Sequence, residues 1–153
     1  MFRFLLILPA FVLSSYGAIN AVDSNSTVSV ASYTEAFNQG FTRAIIRGFN
    51  SDCSVGGQID PNFVTSYNNA RAAKYTDIQA YWSLCNGATS VCMSYDDQLT
   101  QLWQTISNSD INISMLWIDM VLERDDDCNQ DVSIQFTDCE FNSLIPALWI
   151  VGL

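Results

Sequence analysis

A chain of 153 residues with 16 acidic side chains, 6 basic ones and no histidine carries a formal charge of −10 at pH 7. That surface repels nucleic acid and anionic membranes, and the lack of imidazole excludes Ser-His-Asp and Cys-His mechanisms and argues against a zinc site. The length suits one domain with a single core.

The first segment, "FRFLLILPAFVL" at residues 2 to 13, places one Arg before a short apolar run, and "SSYGA" then offers small residues for cleavage after Gly17. This is the pattern of a secretory signal peptide over residues 1–17, too short to span a bilayer. The expected mature chain, residues 18–153, is secreted and extracellular with no membrane segment. Losing Arg3 leaves five basic against 16 acidic side chains, a net charge of about −11.

Short β-branched or aromatic runs then alternate with amphipathic stretches. "AINAVDS" reads as a brief strand ending at Asp23, and Ser32 with Glu35 form a capping-box pair for a helix that stops at Gly40. "TRAIIRGF" is a second strand. Asp60 as N-cap and Pro61 as first helical residue open a second helix through "NFVTSYNNARAAKY". "TDIQAYWSL" is a third strand, followed by a helix capped by Ser94 and Asp97, with Leu99, Leu102, Trp103 and Ile106 along one side. A fourth strand runs from Ile113 to about Met120. A fourth helix is expected from Asp131 to about Leu144 with Val132, Phe136 and Cys139 on one side, and "ALWIVG" closes the pattern as a fifth strand.

Strict alternation of this kind predicts an α/β fold with a parallel sheet and helical crossovers. The acid run "ERDDDCNQD" lacks the oxygen pattern and central Gly of a calcium loop and reads as a solvated loop. Five cysteines (Cys53, Cys85, Cys92, Cys128 and Cys139) fit two disulfides and one free thiol in an oxidising compartment. Cys85 and Cys92 bracket a short loop and are the easiest pair to close, while Cys139, on an apolar helix side, is the expected unpaired thiol. The sequons at Asn25 and Asn112 offer sites for glycans where exposed.

In parallel α/β folds the working face lies at the carboxyl ends of the strands. The residues closing the apolar runs are Asp23, Arg47, Trp82 and Asp119. Carboxylates from two strands beside rings and an Arg suit a carbohydrate site, where acids act on the glycosidic bond and rings stack on sugars. Read from the residues alone, the same pattern also accommodates strand-end caps and core tryptophans.

"AVDSNSTVS", "GFTRAIIRGF", "GGQIDPNFVTSYNNARAA", "DIQAYWSLC" and "MLWIDM", in that order from about Ala21 to Met120, resemble the glycoside hydrolase family 25 lysozymes of the branch found in nematodes and amoebae. The resemblance implies a TIM-like β/α barrel, here partial, with about five parallel strands and four helices. It implies a muramidase ancestry, in which peptidoglycan is cut between N-acetylmuramic acid and N-acetylglucosamine in bacterial defence or digestion. No cofactor and no metal are implied, and the expected partner is bacterial cell-wall peptidoglycan or a related glycan. Asp23 matches the acid that closes the family's first strand, and Asp119 matches the Asp of an Asp-x-Glu motif whose Glu donates the proton. Val121 stands where that Glu is expected.

Positions 119, 121 and 123 share one face of an extended chain, with Glu123 about 6.6 Å further along, which makes it a doubtful stand-in donor. Arg47, Tyr81, Trp82 and Trp117 are the expected substrate-binding residues. The sequence also ends after the fifth expected strand, so the barrel is expected to be incomplete, with an open edge. The reading is therefore a secreted lysozyme-like protein with weak or no hydrolytic activity. The alternatives are an active muramidase using Asp23, Asp119 and a repositioned Glu123, and a non-enzymatic product that folds only with a partner.

Overall fold

The computed structural model describes residues 18–52, 54–85 and 92–119. The elements run β1 (Asn20–Ser24), α1 (Val30–Asn38), β2 (Phe41–Asn50), β3 (Gln58–Ile59), α2 (Phe63–Ala72), β4 (Asp77–Ser83), α3 (Tyr95–Asn108) and β5 (Leu116–Asp119). The fold is α/β. The sheet has the order β1-β2-β4-β5, with β3 paired to β2, and β1, β2, β4 and β5 are parallel to their neighbours. This is the arrangement of a partial β/α barrel. The expected fourth helix and final strand lie outside the described residues, as do Cys53, Cys128 and Cys139.

Alternation along β2 and β4 divides the sheet into two faces. Ala44, Ile46, Ile78, Ala80 and Trp82 point to one side, where they meet Tyr33 of α1, Phe63, Tyr67 and Ala70 of α2, and Leu99, Leu102 and Ile106 of α3 in a single buried core. Apolar groups at this spacing on both partners are what drives the helices onto the sheet. The other face carries Asp23, Ile45, Arg47, Gln79, Tyr81, Trp117 and Asp119, and none of these belongs to the apolar core. β2 bulges between Arg47 and Phe49, and Gly48 at the bulge lets α3 close in, since a Cβ there would lie 2.8 Å from Leu102 Cδ1.

Two helix starts differ from expectation. The cap of α1 is Ser29, in extended conformation, whose hydroxyl accepts from Ser32 N at 3.1 Å. Ser32 thus sits in the first turn and helps to cap rather than capping. At α2, Pro61 and Asn62 form a turn ahead of the helix. Asp60 Oδ1 accepts from Asn62 N at 2.8 Å and the Asp60 carbonyl accepts from Phe63 N at 3.0 Å, because the other carboxylate oxygen is held by Arg47. The α3 cap is as expected, with Ser94 Oγ accepting from Asp97 N at 3.1 Å.

The antiparallel stub β3 has no counterpart in the sequence reading. Gly56 and Gly57, at φ +81° and +92°, turn the chain back on itself, and Asp60 N continues the pairing by donating to the Gly48 carbonyl at 3.0 Å. Adjacent glycines are the turn signal that marks such a hairpin. Cys85 and Cys92 form a disulfide with Cα atoms 5.6 Å apart. Among the described residues no helix is long and apolar enough to cross a membrane.

Candidate functional site

Asp23 lies on the last turn of the ladder of β1 and Asp119 closes β5, with β2 and β4 between them. In register, Asp23 sits beside Ile45 and hence Gln79, whereas Asp119 sits beside Ser83, four positions further along β4. Strand tilt in a closing barrel offsets a stagger of this kind. Both acids line one pocket of about 400 Å³, together with Ile45, Tyr81, Trp117 and Ile118.

Tyr81, beside Trp117 in the ladder, lines this pocket as well. Burial pushes its phenol above the ordinary tyrosine value, the Arg47 charge pulls it back, and Asp23, Asp119 and Asp60 push it up again. The hydroxyl therefore stays protonated at neutral pH and is available as a donor between carboxylates. Trp117 is 45% exposed, and its Nε1 donates to Gln79 Oε1 at 2.7 Å. An aromatic plane and a phenol between two acids present stacking surface, a donor and acceptors, the set of groups that a sugar with hydroxyls on its edge and C–H groups on its face can satisfy.

Among the described residues no group of three or more His, Cys, Asp and Glu is placed to hold a metal ion.

The model of the family described as lysozyme-like protein 1 matches residues 14–143. A probable GH family 25 lysozyme 4 from Dictyostelium discoideum is 33% identical over 153 residues, covering 98% of this chain and 65% of the relative. The chain belongs to the family 25 lysozyme-like proteins. Lysozyme-like protein 5 of Caenorhabditis elegans is 34% identical over 103 residues, covering 67% of this chain and 45% of the relative. A probable GH family 25 lysozyme 2 of Dictyostelium discoideum is 30% identical over 120 residues, or 77% and 53%. The chain thus spans between 45% and 65% of the length of these curated relatives. No solved structure matches it.

Within this lysozyme-like fold, Asp23, Asp119, Tyr81 and Trp117 share the pocket, and the other residues named from the sequence fall elsewhere. Trp82 is fully buried on the opposite face, with its Nε1 donating to Gln98 Oε1 at 3.2 Å. It is a core residue out of reach of any ligand in the pocket, because it follows Tyr81 directly and successive strand residues point to opposite sides. Arg47 is on the pocket side, but its Nε donates to Asp60 Oδ2 at 2.6 Å and its Nη2 to the Asn25 carbonyl at 3.1 Å. That guanidinium ties β2 to the turn before α2 and to the loop after β1. Val121 and Glu123 lie outside the described residues.

Two residues around the site were not named for it from the sequence, Asp60 having been read only as a helix cap. Asp60, only 1% exposed in its side chain, supplies the counter-charge to Arg47. Gln79, 2% exposed, holds Trp117 from below. Gln79 had a signal, a polar residue inside an apolar strand two positions before Tyr81 and so on the same face. Attention to strand-closing residues alone passed over it.

Proposed function

We propose that this is a secreted lysozyme-like protein that holds peptidoglycan-type glycan chains in the pocket of Asp23, Tyr81, Trp117 and Asp119 and hydrolyses them weakly or not at all. The observation that carries the reading is the convergence of two strand-end carboxylates with a phenol and an exposed indole in one pocket. Family membership supports the ligand class, since the relatives are named as lysozymes. The leader-like residues 1–17 and the Cys85–Cys92 disulfide support an extracellular location, because disulfides persist in oxidising compartments.

Weak hydrolysis follows from position 121. Cleavage of a glycosidic bond needs a proton donor within hydrogen-bond reach of the leaving oxygen. Asp119 retains the first acid of the family motif and Val121 replaces the second. Two acids flanking the pocket can orient a chain and stabilise positive charge at the sugar ring. The role in defence or digestion would then be capture of wall fragments.

A pull-down on insoluble peptidoglycan beside a turbidity assay on bacterial walls tests this. Retention without lysis is expected, with Trp117→Ala losing the retention. Lysis by the parent that disappears in Glu123→Gln would replace the reading with that of an active muramidase, which the presence of Asp23 and Asp119 in one pocket favours.

A further inference from the structure

The polar face of the sheet holds a chain of hydrogen bonds that leads from an ion pair to the exposed indole. Arg43 Nε donates to Asp77 Oδ2 at 2.7 Å. Ser114 Oγ donates to Asp77 Oδ1 at 2.7 Å, and Gln79 Nε2 donates to the same oxygen at 3.2 Å. Gln79 Oε1 then accepts from Trp117 Nε1 at 2.7 Å, the short end of the N–H···O range.

This chain fixes the Gln79 amide in one orientation. An ionised carboxylate only accepts and an indole N–H only donates, so the NH₂ group must face Asp77 and the oxygen must face Trp117. Asp77 is in turn kept ionised. Desolvation would raise its pKa, but hydrogen bonds from Ser114, Arg43 and Gln79 and the Arg43 charge outweigh that and hold it below the ordinary aspartate value. Gln79 is buried and cannot touch a ligand. Trp117 on β5 is half exposed, and an unrestrained indole there would sample several rotamers.

We infer that Gln79 is a positioning residue that fixes the Trp117 indole plane in advance, so that a pyranose ring stacks on a surface already set at the angle the pocket requires. The inference rests on the glycan-binding reading above and names what makes its aromatic surface selective. A ring ordered before binding loses no rotamer freedom on capture, and it presents one face to the sugar and one edge to Gln79. The Arg43–Asp77 pair acts at one remove, by holding the amide.

The test titrates the full chain with a soluble N-acetylglucosamine trimer by calorimetry, with thermal unfolding of every variant alongside. Trp117→Ala should abolish binding. Gln79→Met removes the acceptor at nearly constant volume, and Trp117→Phe keeps a ring but removes the donor. Each should weaken binding roughly 3- to 10-fold, and the double variant should be no weaker than the weaker single one, since both remove one interaction.

Parent-like affinity in a folded Gln79→Met, or simple additivity in the double variant, overturns the positioning role while leaving the glycan reading intact. If Gln79→Met does not fold, parent-like affinity in Trp117→Phe overturns it from the exposed side. Failure of the parent to bind the trimer, or Trp117→Ala binding as the parent does, removes the glycan reading and this inference with it.

Discussion

Asp60 is a charge with 1% side-chain exposure, and Arg47 Nε stands 2.6 Å from it. Breaking a buried pair leaves an uncompensated ion in low dielectric, so Arg47→Met should destabilise by about 3 kcal/mol, read as a lower urea midpoint at unchanged m-value. The similar-looking Arg43–Asp77 pair has side chains 25% and 33% exposed, and solvent screening should hold the loss in Arg43→Met to under about 1 kcal/mol. Asp77 contributes through pH instead. Its carboxyl titrates below the ordinary value in the folded chain, so in the acid range the unfolded chain binds more protons than the folded one. Its stabilising contribution is complete above the ordinary aspartate value of about 3.9 and is lost as pH falls through the lower folded value. Melting temperatures recorded from pH 5 down to pH 2 should fall, and Asp77→Asn should flatten that slope. The sequence showed Asp23 and Asp119 because each closes an apolar run. It could not show the Arg47–Asp60 pair, whose members are 13 positions apart and meet only because β3 folds back on β2.

At the scale of elements, the junction between β4 and α3 turns on Gln98, which is fully buried. Its Oε1 accepts from Trp82 Nε1 at 3.2 Å and Cys85 N at 3.1 Å, and its Nε2 donates to the carbonyls of Cys85 and Met93, both at 2.8 Å. One amide therefore satisfies four groups around the disulfide. Gln98→Leu leaves them buried without partners and should destabilise by at least about 3 kcal/mol. Replacing both Cys85 and Cys92 by Ala should cost about 2.5 kcal/mol by the entropy of so short a loop. Thermal or urea unfolding of the two variants side by side would order them, with the Gln98 variant the less stable. The parallel strands and the α3 cap were readable because hydrophobic period and capping chemistry are local. The β3 stub was not, since two residues carry no period. The assignment of Tyr81 and Trp82 to faces was legible too, since Ile78, Ala80, Trp82 and Leu84 alternate with Gln79, Tyr81 and Ser83, but reading only the strand-closing residues passed over that period.

For the whole molecule, the question of activity concentrates on one position. On the proposed reading, Val121→Glu should bring measurable wall hydrolysis in the turbidity assay, general acid catalysis being worth about 100- to 10,000-fold. A folded Val121→Glu without lysis would place the deficit elsewhere in the site. That a single exchange can be asked to switch chemistry on or off follows from how the sheet is divided. The face that packs on α1, α2 and α3 holds Ala44, Ile46, Ile78, Ala80 and Trp82, and the pocket face shares none of them. The apolar packing that holds the helices on the sheet and the residues that line the pocket therefore sit on alternate letters of the same strands. Exchanges among the pocket-lining side chains Asp23, Tyr81, Trp117 and Asp119 can then alter what the pocket holds while leaving the packing of α1, α2 and α3 on the sheet as it is.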